Sequence, residues 1–360
     1  MTGGVDIILF GSGSFAARIA LDIAATAAAP VRVCLAGRNA ARLDWLRLAG
    51  NARAAIFGTP ARFTAEPVVL AMPDDAAALM ARVRPAVVVQ AASPQPSSVI
   101  SSSGNAWARL VADGGLSATA VLQALFTLRV ARAMRAADCD AVLVNACFPD
   151  VVNGLLVAAG HQVACGIGNV AILSNAFAAA AGRYEPGALR VLAHYQTIGV
   201  FRQPVAQRSG PVPRVWIDAE EVADVLPRFR DVKITPEPAI EISGASGVPL
   251  MLAMARKTPW RGHVPGPNGW PGGYPVQWTG TELRADLPDA VSLQQAIRWN
   301  AAFEEANGLV INDGRARYCG ALHDRLRAES PDLAGGFDVA DLDAVFVAMD
   351  ELRTRLLQRV

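Results

Sequence analysis

Short, nearly continuous apolar segments alternate with amphipathic ones through the first half of this 360-residue chain. A continuous apolar run is typical of a strand buried on both faces, and alternation with amphipathic stretches favours a parallel sheet with crossover helices. Strands are predicted at residues 5–10, 31–36, 86–91 (counted as the fourth), 141–145 and 163–173 (a sixth strand and turn), with further short strands at 54–57 and 68–70. Helices are predicted at residues 15–28, 39–48, 74–83 and 118–137. We therefore expect a doubly wound α/β domain with a six-stranded parallel sheet through about residue 175.

The pattern changes in the second half of the chain, where strands and helices no longer alternate regularly. Strands are predicted at residues 190–201 and 276–287, helices at 219–229, 248–256, 292–306 and 339–358, and a proline-, glycine- and tryptophan-rich loop at 260–274. The sequence Asn312-Asp313-Gly314 predicts the turn of a β-hairpin. This mixture predicts an α+β region that serves substrate binding or dimerisation.

A glycine-rich turn separates the first predicted strand from the first predicted helix. It consists of Gly11, Ser12, Gly13, Ser14 and Phe15, and Ala16 follows it. The first glycine permits a tight turn, the second lets a pyrophosphate approach the backbone, and the small third residue allows close helix–strand packing. The helix N-terminus offers free N–H groups to the phosphates. The pattern predicts a dinucleotide-binding Rossmann domain, residues 1–175, before an α+β substrate-binding domain, residues 176–360. The alternative is a Rossmann-like domain that has lost its ligand.

The end of the second strand bears on which dinucleotide binds. A site for NAD usually has an acidic residue here, and that residue would repel a 2′-phosphate. This chain has Arg38 and Asn39 instead, with Arg42 one turn later. An arginine can pair with the 2′-phosphate and stack on the adenine, so NADP(H) is the predicted cofactor. A solvated arginine at a helix start is the alternative for Arg38. The loop at residues 37–39 also gives the chain some resemblance to saccharopine- and opine-type reductases.

Three small residues at the end of the fourth strand are expected to line the cofactor: Ala91, Ala92 and Ser93.

The segment at residues 93–105 is rich in serine and proline and is long for a connection. A mobile lid over the substrate and an ordinary solvated loop are both compatible with this composition. In the first case the loop predicted at 260–274 would cover the substrate from the other side.

Composition disfavours several classes of protein. The net charge is +1, so no basic surface for nucleic acid or an anionic membrane is expected. Residues 151–182 lack charged side chains, but polar residues and glycines interrupt the stretch, which disfavours a membrane span. The five cysteines are scattered without a C-x-x-C spacing, so neither a disulfide framework nor a metal site is expected. No signal-peptide pattern opens the chain, and a cytoplasmic protein is predicted.

The segment after the long helix resembles the lactate/malate dehydrogenase superfamily. A strand ends in Asn145, and Pro149 follows closely. The resemblance implies that the Asn145 side chain lies beside the nicotinamide and the substrate oxygen; the alternative is a cap of the following turn. Residues 166–173 look like the sixth strand of that superfamily and are similar to the matching strand of the NAD-dependent glycosidases. The resemblance also places a functional histidine at His194, which would exchange a proton with the substrate as hydride moves.

The chain also departs from these families. In the dehydrogenases an Asp after the sixth strand orients the histidine, and an Arg nearby grips a substrate carboxylate. Residues 171–181 contain neither, and only Ser174 and Asn175 are polar there. The metal-binding cysteine of the glycosidases matches Gly168, although Cys165 is close.

Other candidates for chemistry carry less specific signals. Among the remaining histidines, His161 is expected in the core and His323 on the surface. His263 is expected within reach of a ligand. Cys147 is interpreted as a buried inert thiol, with a role beside the nicotinamide as the alternative. Arg183 and Arg202 are the alternatives for binding a substrate carboxylate.

Together these features predict an NADPH-dependent oxidoreductase that transfers hydride to or from a small carbonyl or imine substrate. His194 would handle the proton, Asn145 would polarise the acceptor, and the protein would form a homodimer. Two alternatives stay open. One is a non-catalytic NADP(H)-binding sensor or scaffold with a degraded dehydrogenase site. The other is a lyase or glycosidase that uses the nicotinamide transiently.

Overall fold

The computed structural model describes residues 4–95 and 104–359. The strands in these residues are β1 (Ile7–Phe10), β2 (Val31–Gly37), β3 (Ala61–Pro67), β4 (Val87–Gln90), β5 (Val142–Asn145), β6 (Cys165–Gly166), β7 (Leu189–Leu192), β8 (Arg214–Ile217), β9 (Glu220–Glu221), β10 (Trp260–Pro265), β11 (Gly273–Trp278), β12 (Leu283–Ala285), β13 (Gly308–Asn312), β14 (Arg315–Cys319) and β15 (Phe337–Asp338).

The helices are α1 (Ser14–Thr26), α2 (Ala40–Phe57), α3 (Pro73–Val83), α4 (Ala106–Gly114), α5 (Ala120–Ala136), α6 (Pro149–Ala158), α7 (Val170–Ala181), α8 (Val225–Arg228), α9 (Pro236–Ser246), α10 (Val248–Arg256), α11 (Leu293–Ala306), α12 (Gly320–Glu329), α13 (Pro331–Ala334) and α14 (Leu342–Leu357). Short 3-10 helices lie at Leu116–Thr119, Tyr195–Arg202, Val205–Gln207, Pro267–Gly269 and Val339–Asp341.

Strands β1 to β6 form one parallel sheet in the order β3-β2-β1-β4-β5-β6. Every residue of β1 and β4 is buried, as expected for strands covered on both faces. The direction of winding reverses between β1 and β4, which places a topological switch point at their carboxyl ends. Ligands of such sheets bind in the crevice at that point. The predicted doubly wound α/β fold is confirmed.

Two of the predicted short strands are wrong. Residues 54–57 form the last turn of α2, and β3 follows as the third strand. The side chains of Ile56 and Phe57 are exposed on this helix, which ends at Gly58 in the left-handed conformation, with φ 67°. Residues 68–70 follow β3 without regular structure. A short apolar run does not distinguish a strand from a helix turn, because periodicity needs a longer window.

Four other predicted elements also differ from the structure, and long-range strand pairing explains the first of them. The loop predicted at 260–274 contains β10, which pairs antiparallel with β11 despite its glycine and proline residues. The strand predicted at 190–201 ends at Leu192, and a 3-10 helix follows. Only four residues of the helix predicted at 219–229 are helical. The sixth strand is reduced to two residues, because α7 already begins at Val170.

The second half of the chain forms three small antiparallel sheets, β7-β8-β9, β10-β11-β12 and β13-β14-β15, with helices between them. The predicted hairpin turn joins β13 to β14. These elements pack directly on the parallel sheet. Leu309 and Leu352 share a core with Ile8, and Met251 shares a second core with Leu9. The predicted boundary at residue 175 lies within α7. None of the helices in the described residues is long and apolar enough to cross a membrane.

Candidate functional site

The glycine turn lies at the carboxyl end of β1, next to the switch point. Gly11 has a φ of 130°, and a Cβ there would lie 3.0 Å from the carbonyl carbon of Ala91, so any other residue would be strained. Gly13 is the N-cap of α1, no side chain caps the helix, and a Cβ at Gly13 would meet no atom within 4 Å. The remaining residues of the turn are half-buried (Ser12, Phe15) or exposed (Ser14). The backbone thus leaves room and N–H groups for a pyrophosphate.

The carboxyl end of β4 forms the other wall of this turn. Its last residue, Gln90, is fully buried, and its side chain holds Ala92 in place. The amide donates to the carbonyl of Ala92 (2.7 Å) and accepts from its N–H (2.8 Å). Ser93 Oγ accepts from the N–H of Gln95 (3.0 Å). Gln90 was not predicted, although a lone glutamine in an apolar strand is a polar group that needs partners.

Of the three polar residues that follow β2, two stabilise the local structure and one is exposed. Arg38 is exposed. Asn39 caps α2 by accepting from the N–H of Arg42 (3.0 Å). The Arg42 side chain reaches back to the glycine turn, where Nε donates to the carbonyl of Ser12 (3.3 Å), and its guanidinium lies 4.3 Å from the ring centroid of Trp45. Arg42 thus braces the turn, while Arg38 stays available to a ligand.

Asn145 lies at the end of β5 and is fully buried. Its Oδ1 accepts from Thr127 Oγ1 (3.1 Å) and from the N–H of Cys147 (2.8 Å). Its Nδ2 donates to the carbonyl of Cys147 (3.1 Å) and to Asn153 Oδ1 (2.8 Å). Both amide hydrogens are used inside the protein. This geometry favours the turn-capping interpretation over a direct contact with a substrate.

The thiol of Cys147 is buried beside the same edge of the sheet. Its Sγ donates to the carbonyl of Ala92 (3.3 Å). Burial raises the pKa of Cys147 to about 12, so it is a neutral thiol at physiological pH. This state agrees with an inert structural cysteine.

His194 follows β7 closely and is fully buried. Its Nε2 lies 3.0 Å from Oε1 of Glu304 on α11, although the two atoms are poorly aligned for a hydrogen bond. Its Nδ1 accepts from the N–H of Gln196 (3.4 Å), and the ring stacks on Phe303 with centroids 4.7 Å apart. The histidine therefore has a carboxylate neighbour, and that neighbour comes from a distant part of the chain.

Glu304 is itself held firmly. Its Oε2 accepts from Ser117 Oγ (2.9 Å) and from the N–H of Leu309 (2.6 Å). Ser117 also contacts the hydroxyl of Tyr195 (3.0 Å). Burial and the charge of Glu304 raise the pKa of Tyr195 well above its usual value. Glu304 is not recognisable from the sequence, because only the packing of α11 against the segment after β7 brings it to His194.

Asp150 lies in the first turn of α6 and is 1% exposed. Its Oδ2 accepts from Nδ2 of Asn169, the residue before α7, whereas its Oδ1 has no partner. Burial raises the pKa of Asp150 to about 6; His194 and the Asn169 hydrogen bond oppose this shift, and Glu304 adds to it. A buried carboxyl group in this state can give or take a proton near neutral pH.

Backbone strain accompanies these side chains. Phe148, just before α6, has φ 47° and ψ 56°, and Asn169 has φ 45° and ψ −103°. Positive φ is uncommon for residues other than glycine, and such residues cluster at functional sites. Both lie where the chain leaves the carboxyl edge of the sheet, and they set the directions of Asp150 and Asn169.

We define the buried polar cluster as Asp150, Asn169, His194, Asn300 and Glu304. Among the described residues, eleven buried side-chain nitrogen or oxygen atoms lack a hydrogen-bond partner, and four belong to this cluster. These four are Asp150 Oδ1, His194 Nε2, Asn300 Oδ1 and Glu304 Oε1. Buried polar atoms are usually paired, so such a concentration marks a place where a further group is needed.

The other predicted candidates lie elsewhere. Nε2 of His263 accepts from the N–H of Val191 (2.9 Å), and burial together with Arg190 lowers the pKa of His263 to about 3. Its ring therefore has a structural role, and its prediction as a ligand contact is not supported by this geometry. Arg183 pairs with Asp218 at the surface.

Of the remaining candidates, His161 is buried and His323 is half-exposed. Arg202 is exposed. Within residues 4–95 and 104–359, no group of three or more His, Cys, Asp or Glu side chains is arranged to hold a metal ion. Most of the predicted lid, residues 96–103, lies outside the described residues.

Comparison with known proteins identifies the fold. No protein-family model matches the chain, and no curated protein matches its sequence. Its structure is similar to that of the minor L-lactate dehydrogenase from Enterococcus mundtii, with a TM-score of 0.53 and 13% identity, over 84% of this chain and 96% of that one. The lactate dehydrogenase of Cryptosporidium parvum gives a TM-score of 0.46 at 13% identity, covering 97% and 99% of the two chains. The malate dehydrogenase of Cryptosporidium parvum gives 0.46 at 16%, covering 83% and 96%. The predicted lactate/malate dehydrogenase-like fold is confirmed.

Proposed function

We propose that the protein is an NAD(P)-dependent oxidoreductase, with NADPH preferred, that transfers hydride to or from the carbon of a C=O or C=N group. One observation carries the proposal: the open N-terminus of α1 at Gly13 and the buried polar cluster lie at the same carboxyl edge of the sheet. In an open α/β sheet this edge is where the ligand crevice forms. When bound, a reduced nicotinamide supplies the hydride.

The residues of the glycine turn fit a dinucleotide. The backbone at Gly13 leaves space for the pyrophosphate, and Gly11 lets the turn pass close to Ala91. Arg38 is exposed at the end of β2, where a 2′-phosphate would lie, and no acidic residue occupies positions 37–39. NADPH therefore fits this end of the site better than NADH does.

His194 is proposed to move the proton that accompanies hydride transfer. In this proposal the carboxylate of Glu304, 3.0 Å from Nε2, is the neighbour that orients the imidazole. Glu304 thereby supplies the orienting carboxylate that residues 171–181 lack.

The test is NADPH oxidation by the purified protein with a panel of keto acids, ketones and imines. General acid–base catalysis contributes about 100-fold or more, so His194→Gln is expected to lose at least that factor in kcat/KM. His323→Gln is the matched control, because His323 lies at the surface beside Asp324. Bound NADPH, measured by fluorescence, should be unchanged in both variants. Unchanged turnover in His194→Gln would remove His194 from the mechanism.

The second candidate is a non-catalytic NADP(H) sensor, and it is favoured by the complete burial of His194. It predicts NADPH binding without turnover of any member of the panel. A substrate-dependent burst of NADP⁺ excludes it.

A further inference from the structure

A groove beside the buried polar cluster carries ionisable side chains of only one sign. It encloses about 340 Å³ between α6, α11 and the β13–β14 hairpin. The ionisable residues among the described residues that line it are Asp150, Glu304, Glu305 and Asp313. Glu305 and Asp313 are exposed at the surface, whereas Asp150 and Glu304 are buried. A ligand that enters from this side therefore meets carboxylates and no arginine, lysine or histidine of the lining.

The unsatisfied atoms of the buried polar cluster are mostly hydrogen-bond acceptors, and two of them belong to residues that line the groove, Asp150 and Glu304. Oδ1 of Asp150 and Oδ1 of Asn300 have no donor, and Oε1 of Glu304 has only the poorly aligned His194. Asn300 lies one turn before Glu304 on α11. It also borders Gly272, whose N–H donates to the carbonyl of Asp150. These three side-chain oxygens therefore lack a hydrogen-bond donor.

The charges of the described residues also weigh against an anionic substrate. Asp150 has no ion pair within 4 Å, and the ion pair of Glu304 is with His194. The exposed Arg183 is committed to Asp218. A substrate carboxylate placed at this cluster would face two carboxyl groups of like charge without an arginine to hold it. A nitrogen that bears hydrogens and a positive charge satisfies both the charge and the missing donors.

We propose that the substrate is an imine that becomes protonated at the buried polar cluster, and that Asp150 is a further catalytic residue that touches its nitrogen. This inference rests on the proposed function, since it names the substrate class of the same site. The Asn169 side chain orients Asp150 by donating to Oδ2, which leaves Oδ1 for the substrate.

The step balances with NADPH as reductant. Protonated Asp150 donates its proton to the imine nitrogen, which gives a cationic C=N group beside an Asp150 carboxylate. The imine carbon then accepts hydride, a C–H bond forms, and the π electron pair of the C=N bond moves to nitrogen. The product is a neutral amine, with NADPH oxidised to NADP⁺, and a proton from water that His194 passes on restores Asp150. Burial raises the pKa of Asp150 to about 6, so a fraction of the protein holds this proton near neutral pH.

The experiment compares kcat/KM for three sets of substrates matched in carbon skeleton: aliphatic imines such as 2-methyl-1-pyrroline, neutral ketones such as 2-pentanone, and keto acids such as 2-oxopentanoate. We expect the imines to exceed both other sets by about 100-fold or more, and Asp150→Asn to lose at least about 100-fold on imines. Asp343→Asn, an exposed carboxyl paired with Arg132, is the control and should retain full activity.

A pH profile separates a catalytic role for Asp150 from a structural one. The titratable groups that act on Asp150 are His194 and Glu304, and Tyr274 lies within the reach of its charge. The wild-type kcat on imines should fall as pH rises through the region near 6, and this limb should be absent in Asp150→Asn. Intact NADPH binding in the variant verifies its fold.

The outcomes distinguish the two proposals. Turnover that favours keto acids or ketones, or an Asp150→Asn variant with unchanged kcat and pH profile, overturns the imine proposal and leaves the oxidoreductase standing. NADPH binding without turnover of any set overturns the proposed function itself.

Discussion

The glycine turn and the buried polar cluster lie at the same edge of one sheet but are constructed in different ways. The turn consists of the consecutive residues 11–16, and their backbone forms the candidate phosphate site. Gly13 within it is exposed. The cluster takes buried side chains from α6, from the segment after β7 and from α11, and a half-buried one from the residue before α7. The first site is therefore set by local backbone conformation, and the second by tertiary packing of polar groups.

The largest expected difference between the two sites is in the pH dependence of stability. The pKa of Asp150 rises from an ordinary 3.8 to about 6 in the folded protein. Below about pH 4 the carboxyl group is protonated in both states. Between about pH 4 and 6 the unfolded chain loses this proton while the folded chain keeps it, so the free energy of unfolding falls as pH rises, by up to about 3 kcal/mol.

Urea unfolding at pH 4.5 and pH 6.5 measures this effect. Asp150→Asn should lack the part of the decline that is due to Asp150, because its amide does not titrate in this range. Gly13→Ala, a change in the turn, should keep the wild-type pH dependence. The same slope in Asp150→Asn and in the wild type would mean that Asp150 is solvated and that the cluster is more open than its burial indicates.

Much of the fold was predictable because it depends on patterns that are local in sequence. The runs that became β1, β4 and β5 are apolar on both faces, and the turn at Gly11 follows β1 directly. The failures were short or polar segments. The last turn of α2 was interpreted as a strand, and β10 as a loop, since β10 is a strand only because β11 pairs with it.

The candidate site was predictable only in part, for the same reason. His194 could be found because a resemblance placed it after the sixth strand of the sheet. Glu304 and Asn300 could not, since nothing in the sequence of α11 distinguishes residues that face His194 from other polar positions. Asp150 stood beside Pro149 in a motif already noted, but its burial and its missing partner follow from packing alone.

The next largest effect is expected in the glycine turn and acts mainly on binding. A side chain at Gly13 would meet no protein atom within 4 Å, and its backbone (φ −74°, ψ 179°) suits any residue. Gly13→Val should fold normally but fill the space for the pyrophosphate. We expect NADPH to bind about 100-fold more weakly, or about 2.7 kcal/mol, with only a slightly lower melting temperature, because valine is a poorer N-cap than glycine.

Gly11→Ala is the matched contrast. Its φ of 130° and its contact with Ala91 predict a loss of about 1–3 kcal/mol of stability from backbone strain. Titration calorimetry and thermal melts of both variants measure the two effects. If Gly13→Val bound NADPH as tightly as the wild type, the turn would not be the phosphate site.

The smallest effect is expected at the adenosine end, where two arginines lie close together but do different things. Arg38 is exposed and free to meet a 2′-phosphate, whereas Arg42 donates to the carbonyl of Ser12 and packs over Trp45. A hydrogen bond to a charged group contributes about 1.5 kcal/mol at the lower end of its range, which suits an exposed side chain, so Arg38→Ala should weaken NADPH binding by about tenfold and leave NADH binding unchanged. Arg42→Ala removes a brace of the turn and should weaken both cofactors equally. Dissociation constants of the two variants for both cofactors decide between these roles. Equal losses for NADPH and NADH in Arg38→Ala would show that Arg38 does not select the phosphate, and NADP preference would then have to come from another residue.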